Sequence, residues 1–170
     1  MKRCILSVLM IFTVIFTLSS CIIIPEYKNF VIDPATIASI EIYDLRESDT
    51  RGESFLEDTS PVYEIPNEEI DDFTSDLAQI EFTRYIIITL AAIDPSLNYG
   101  DFVVRINYTD GSFELLSDGD FGQTFDQDGE VISGHRYGAD SEEWEEFIGK
   151  YLPKEIIMII ECRKGEQAFS

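Results

Sequence analysis

The feature that most restricts the fold is an alternating run at residues 102–115. Phe102, Val104, Ile106 and Tyr108 alternate with Val103, Arg105 and Asn107. Asp110-Gly111 follows, and Phe113 and Leu115 resume on the far side. A period of two puts successive side chains on opposite faces of a pleated strand. Asp-Gly is a preferred pair for a tight two-residue hairpin turn, because Gly adopts positive φ without steric cost. The run therefore predicts an antiparallel hairpin. A second hairpin is predicted across Gly119 to Gly134, turning at Asp128-Gly129.

Other segments supply partners for this sheet. Ile37 to Asp44 reads as a strand, with Ile40 and Ile42 alternating with Glu41 and Tyr43. Residues 45–61 are polar and acidic and read as a loop, and Val62 to Ile65 reads as a short strand. Pro66-Asn67 opens a helix with Asn67 as its N-cap. Glu68, Glu69, Asp71 and Asp72 suit the positive end of its dipole, and Ile70, Phe73, Leu77 and Ile80 form one buried stripe. Phe82 to Ile93 is rich in β-branched residues and reads as a central strand buried on both faces.

A last helix begins at the Asp140 cap, with Glu143 as the reciprocal partner. Trp144, Phe147, Ile148, Tyr151 and Leu152 follow helical spacing, and Pro153 stops it. Glu155 to Glu161 reads as a final strand. The order β-β-α-β-β-β-β-α-β predicts an α+β fold: a single domain, mainly antiparallel sheet, with two helices packed on one face.

Charge narrows the partners. The chain holds 33 Asp and Glu against 12 Lys and Arg in 170 residues, a net charge of −21. At 45% hydrophobic and 12% aromatic it is too apolar for a disordered acidic tail. Nucleic-acid binding is excluded, because phosphate contacts need clustered cations. Three Cys cannot make a disulfide scaffold.

Catalytic signals are sparse. The single His, His135, has Ser133 two residues away, but no G-x-S-x-G elbow exists, and His135 reads as a surface or strand histidine. One His and few Cys cannot supply a zinc site. Paired carboxylates run glycoside chemistry, but with 33 acids some pair lies close by chance. Asn107-Tyr108-Thr109 fits the N-glycosylation pattern and reads as chance within a strand.

Calcium is the best local candidate. Asp118-Gly119-Asp120 and Asp126-Gln127-Asp128-Gly129-Glu130 are two acidic, Gly-bearing turns close in sequence. Aligned to an EF-hand loop, Thr124 stands where the first carboxylate belongs and His135 where the final Glu belongs, so that motif is rejected. A looser calcium turn would use Asp118, Asp120, Asp126, Asp128 and Glu130. No other cofactor is expected.

The N-terminus has a distinct character. Lys2 and Arg3 precede an apolar run from Ile5 to Leu18, broken only by Ser7, Thr13 and Thr17. A run of about 14 residues suits a secretory h-region of roughly 7–15 and falls short of the ~20 needed to span a bilayer. The preceding positive charge orients the chain for export.

The closing Leu18-Ser19-Ser20-Cys21 resembles the lipobox of bacterial lipoproteins, matching at every position. The resemblance covers about 21 residues. It implies cleavage before Cys21, thioether lipidation of Cys21 and a membrane-anchored, extracytoplasmic chain. Ile22 in place of Asp allows the outer membrane in a Gram-negative cell. The expected organisation is a signal peptide at 1–20, a lipidated tether at 21–36 broken by Pro25 and Pro34, and a domain at 37–170.

Removing residues 1–20 takes away two cations and no acids, which leaves ten cations against 33 acids, a balance of −23. Cys4 goes with the signal and Cys21 is committed to lipid, so Cys162 remains as one thiol, read as buried. Two functional classes follow. One is a non-enzymatic binding module at the membrane, favouring a cationic protein or another envelope partner. The other is a carboxylate-dependent hydrolase acting on cell-envelope polymers.

Overall fold

A computed structural model describes residues 22–46, 59–88, 100–119, 122–135 and 137–159. Contacts divide the chain into two units. The smaller comprises Met1–Glu26 and Tyr85–Pro95, and the larger Tyr27–Arg84 and Ser96–Ser170. The fold is α+β, as the alternation and helical stripes require. A six-stranded sheet has the order β3-β2-β5-β6-β7-β8. Its strands are β2 (Ile37–Asp44), β3 (Tyr63–Glu64), β5 (Phe102–Tyr108), β6 (Phe113–Ser117), β7 (Gly122–Phe125) and β8 (Val131–His135). Every neighbouring pair is antiparallel.

Both long helices, α1 (Ile70–Leu77) and α2 (Ser141–Tyr151), pack on one face of this sheet. The even-numbered side chains Ile40, Ile42, Val104, Ile106 and Leu116 form a single core with Ile70, Phe73, Leu77, Trp144, Phe147, Ile148 and Tyr151. Phe73, Phe147 and Tyr151 interlock their rings between the helices, with centroids 4.8–5.5 Å apart. The opposite face has its own buried cluster of Tyr43, Leu45, Val103, Phe113, Leu115 and Phe125. Phe113 stacks on Phe125 at 4.3 Å.

Local chemistry sets the helix ends. The Asp140 carboxylate accepts from the Glu142 and Glu143 amides and so satisfies two N–H groups that open α2. Ahead of α1 the expected cap is replaced. Asn67 lies inside a 3-10 turn (Asn67–Glu69), Pro66 precedes it, and no side chain caps α1. Pro fixes φ near the helical value and lacks an N–H, so it starts the turn without a side-chain acceptor.

Both hairpins form, but with longer turns than expected. In the first, Tyr108 N–H donates to Ser112 O and Gly111 N–H to Tyr108 O, so three residues make the loop, with Gly111 at φ 89°. The second repeats this between Asp126 and Glu130, with Gly129 at φ 81°. A three-residue loop needs only its last position left-handed, which is where each Gly stands.

Three further segments depart from the sequence reading. The segment expected as a tether contains β1 (Ile22–Lys28), paired with β4 (Phe82–Ile88) in a two-stranded sheet. Pro25 fits because both strands of such a sheet are edges. Phe30 is buried in the core against Phe82, so the folded part begins before residue 37. The strand expected at 82–93 is therefore not central to the main sheet. The strand buried on both faces is β5, where Phe102, Val103, Val104 and Ile106 are all buried. Residues 89–93 of the expected strand lie outside the described residues.

The expected final strand, Glu155 to Glu161, falls in a segment that is helical at 154–159, and 160–161 lie outside the described residues. Ile156 and Ile157 N–H groups both donate to Pro153 O, and their side chains pack on the core. A short apolar run does not separate helix from strand by period, and Pro153 is placed to begin a helix as well as to end one.

Candidate functional site

The most constructed polar arrangement stands where β2 ends, β5 begins, β6 ends and α2 begins. Its centre is Asp118. The Asp118 Oδ1 accepts from the Asp101 amide at 3.1 Å. Burial is the main cause that pushes the Asp118 carboxyl above the usual range, and the negative charge of Asp101 adds to it. Hydrogen bonds from its own amide, the Phe102 amide and the Ser141 hydroxyl oppose the shift.

Two glycines make room for this segment. A Cβ on Gly100 would stand 1.9 Å from Asp118 Oδ1, and a Cβ on Gly138 would stand 2.1 Å from the carbonyl oxygen of Gly119. Gly138 is fixed by reciprocal backbone bonds to Thr83 of 2.9 and 3.1 Å. The buried Ser117 accepts from the Ala139 amide through its carbonyl and from the Gly119 amide through its hydroxyl.

A cation lies at the same end of the sheet. Arg46 makes a two-pronged pair with Asp44, Nε to Oδ1 at 2.8 Å and Nη2 to Oδ2 at 2.7 Å. Its guanidinium lies over the Phe102 ring at 4.6 Å. Asp44 raises the Arg46 pKa first, and the charges of Asp101 and Glu145 raise it further. Trp144 donates Nε1–H to Phe102 O at 3.0 Å, which ties α2 to the first residue of β5. A partly buried carboxyl of raised pKa holds its proton to higher pH than an exposed one and, while protonated, can donate a hydrogen bond to a ligand.

A second polar set lies on the sheet face away from the helices. Tyr43 Oη–H donates to Glu41 Oε2 at 2.8 Å, and Arg105 Nη1 is 3.9 Å from the same oxygen. Arg105 lies over Phe113 at 4.1 Å. Burial first, and then the Glu41 bond, push Tyr43 up to about 12. This set braces β2 against β5, where Glu41 and Arg105 are register partners.

Among the described residues, those of the expected calcium turn are not brought together as a metal site. Asp126 Oδ1 accepts from the Asp128 and Glu130 amides, both at 2.9 Å, and so closes its own hairpin. Asp118 is engaged at the β5–β6 end instead. Asp120 lies outside the described residues. Among the described residues no group of three or more His, Cys, Asp or Glu is placed to hold a metal ion.

His135 pairs with Gly122 at the end of β8, and Ser133 is exposed on the same strand. Cys21 and Cys162 lie outside the described residues. Sequence reasoning missed Asp44, Arg46, Gly100 and Gly138. Arg46 stands in a segment that reads as a loop, and the close approach of Asp118 to Gly100 leaves no mark in local spacing. No protein-family model matches the chain, and neither a curated protein nor a solved structure matches it.

Proposed function

We propose that the chain is a lipoprotein anchored at Cys21 on the extracytoplasmic side of a membrane, and that its domain is a non-enzymatic binding module for a cationic partner. The observation that carries the binding reading is the charge on the helix layer. Glu142, Glu143, Glu145 and Glu146 are all exposed on α2, and Glu68, Asp71 and Asp72 are exposed on or before α1. Both helices lie on one face of the sheet, so these carboxylates share one side of the domain. Such a field raises the encounter rate of a basic partner and repels acidic ones.

Pull-down of the lipidated protein from solubilised membranes tests this. A stoichiometric partner released by salt, and lost when the four α2 glutamates become Gln, is the expected result. Repeated recovery of the protein alone would contradict it.

A second reading rests on Asp118. Its raised carboxyl beside Asp101 suits a general acid in hydrolysis of envelope polymers. Under that reading Asp118→Asn abolishes polymer cleavage while the protein stays folded. Equal turnover by wild type and Asp118→Asn would dispose of it.

A further inference from the structure

The exposed apolar side chains are not scattered evenly. Among the described residues seven large hydrophobics are exposed, and three of them, Ile24 (45%), Tyr27 (58%) and Val31 (83%), fall within eight residues. Single exposed hydrophobics are ordinary, but a run of them marks a contact surface. We infer that the segment from Tyr27 to Val31 lies against the lipid headgroups of the membrane that holds Cys21. This deepens the anchoring reading and rests on it.

Length supports that occupant. Tyr27 is six residues beyond Cys21, so in a strand rising about 3.3 Å per residue it stays within roughly 20 Å of the anchor. A surface this close to a lipidated residue meets the bilayer before it meets a protein. Composition supports it too. Tyr has an apolar ring and a polar tip, the combination favoured at membrane interfaces.

Charge gives the orientation. Residues 22–32 contain one acid, Glu26, and one base, Lys28, whereas residues 33–170 hold the other 32 acids against nine bases. An anionic headgroup layer repels the rest of the chain and tolerates this segment. The Lys28 amine stands over the ring of the buried Phe30 at 4.0 Å, so the one cation of this segment is seated on the folded core. The acidic helix layer is then left for a partner.

Tryptophan quenching tests the inference. Full-length protein is purified in its lipidated form and reconstituted into phosphatidylcholine–phosphatidylglycerol vesicles with brominated tails. The native Trp144 is fully buried and gives the background. Tyr27→Trp and Val31→Trp place an indole on the proposed face. Ile132→Trp places one at another exposed apolar position on β8.

The inference expects most of the added emission to be lost for Tyr27→Trp and Val31→Trp and kept for Ile132→Trp. Protein that sediments with the vesicles but is unquenched at 27 and 31 overturns the inference while the anchor stands. Equal quenching at all three positions also overturns it, because no face is then preferred. Protein that stays in the supernatant overturns the anchor reading and this inference with it.

Discussion

Asp118 lies against the backbone at Gly100, so close that the first atom of any side chain there would stand 1.9 Å from its Oδ1. The contact joins the start of β5 to the end of β6 and holds a carboxyl where burial keeps it reluctant to ionise. Gly100→Ala must therefore push Asp118 away and break its bond from the Asp101 amide. The expected cost is about 1–3 kcal/mol, read by urea unfolding. In an Asp118→Ala background most of that cost should vanish, because the clash is gone. Additive losses in the double variant would contradict this coupling.

Gly138→Ala should cost more than Gly100→Ala. Its Cβ would meet the Gly119 carbonyl, which is backbone and cannot swing aside. Gly149→Ala gives the opposite sign. Gly149 is within α2 with nothing within 4 Å of an added Cβ, so Ala should stabilise by roughly 0.5–1 kcal/mol. The three melting temperatures, measured side by side, check the order.

Asp118 and Asp76 should give opposite pH trends. The Asp118 pKa is raised, so its contribution is favourable below its unfolded pKa and is lost as pH rises through the folded value. Asp118→Asn should gain on wild type as pH rises above the ordinary carboxylate range. The Asp76 pKa is lowered, first by the Lys150 bond and then by the Tyr151 hydroxyl, which donates at 2.5 Å. Its contribution is present above its unfolded pKa and lost as pH falls through the folded value. Asp76→Asn should cost up to ~1 kcal/mol at neutral pH, limited by solvent screening, and nothing in acid. Unfolding at a series of pH values reads both, and parallel curves for the two variants would contradict the assignment.

Trp144 ties α2 to the sheet by volume and by one bond. Trp144→Phe keeps most of the ring packing against Phe82 and Phe147 but leaves the buried Phe102 carbonyl without its donor. A loss of about 1–3 kcal/mol is expected, against about 3–5 for Trp144→Ala. No loss for Trp144→Phe would mean that the hydrogen bond carries nothing, and equal losses for the two would mean that the ring packing adds nothing to it.

Elements with a strong period or a capping side chain were legible in the sequence. The α2 stripe, the Asp140 cap and the β5–β6 alternation act over a few residues, so local spacing exposes them. Glu155 to Glu161 was not legible, because an apolar run that short suits either state and Pro153 can open a helix. Nor was β1, since its strand character comes from pairing with β4, some 60 residues away. The Asp118 corner is non-local in the same sense. Gly100, Asp101, Asp118, Gly138 and Ser141 meet only after the sheet and α2 have packed. In the expected calcium turn the Asp126 carboxylate closes its own hairpin, a local role that the Asp-x-x-Gly spacing also suits.

Attachment through Cys21 can be read from the intact mass of the protein extracted from membranes. The expected result is a chain beginning at Cys21 that carries a thioether-linked diacylglyceryl group, and a Cys21→Ala variant that is unprocessed or released. An unlipidated chain, or one still bearing residues 1–20 in the wild type, would contradict it.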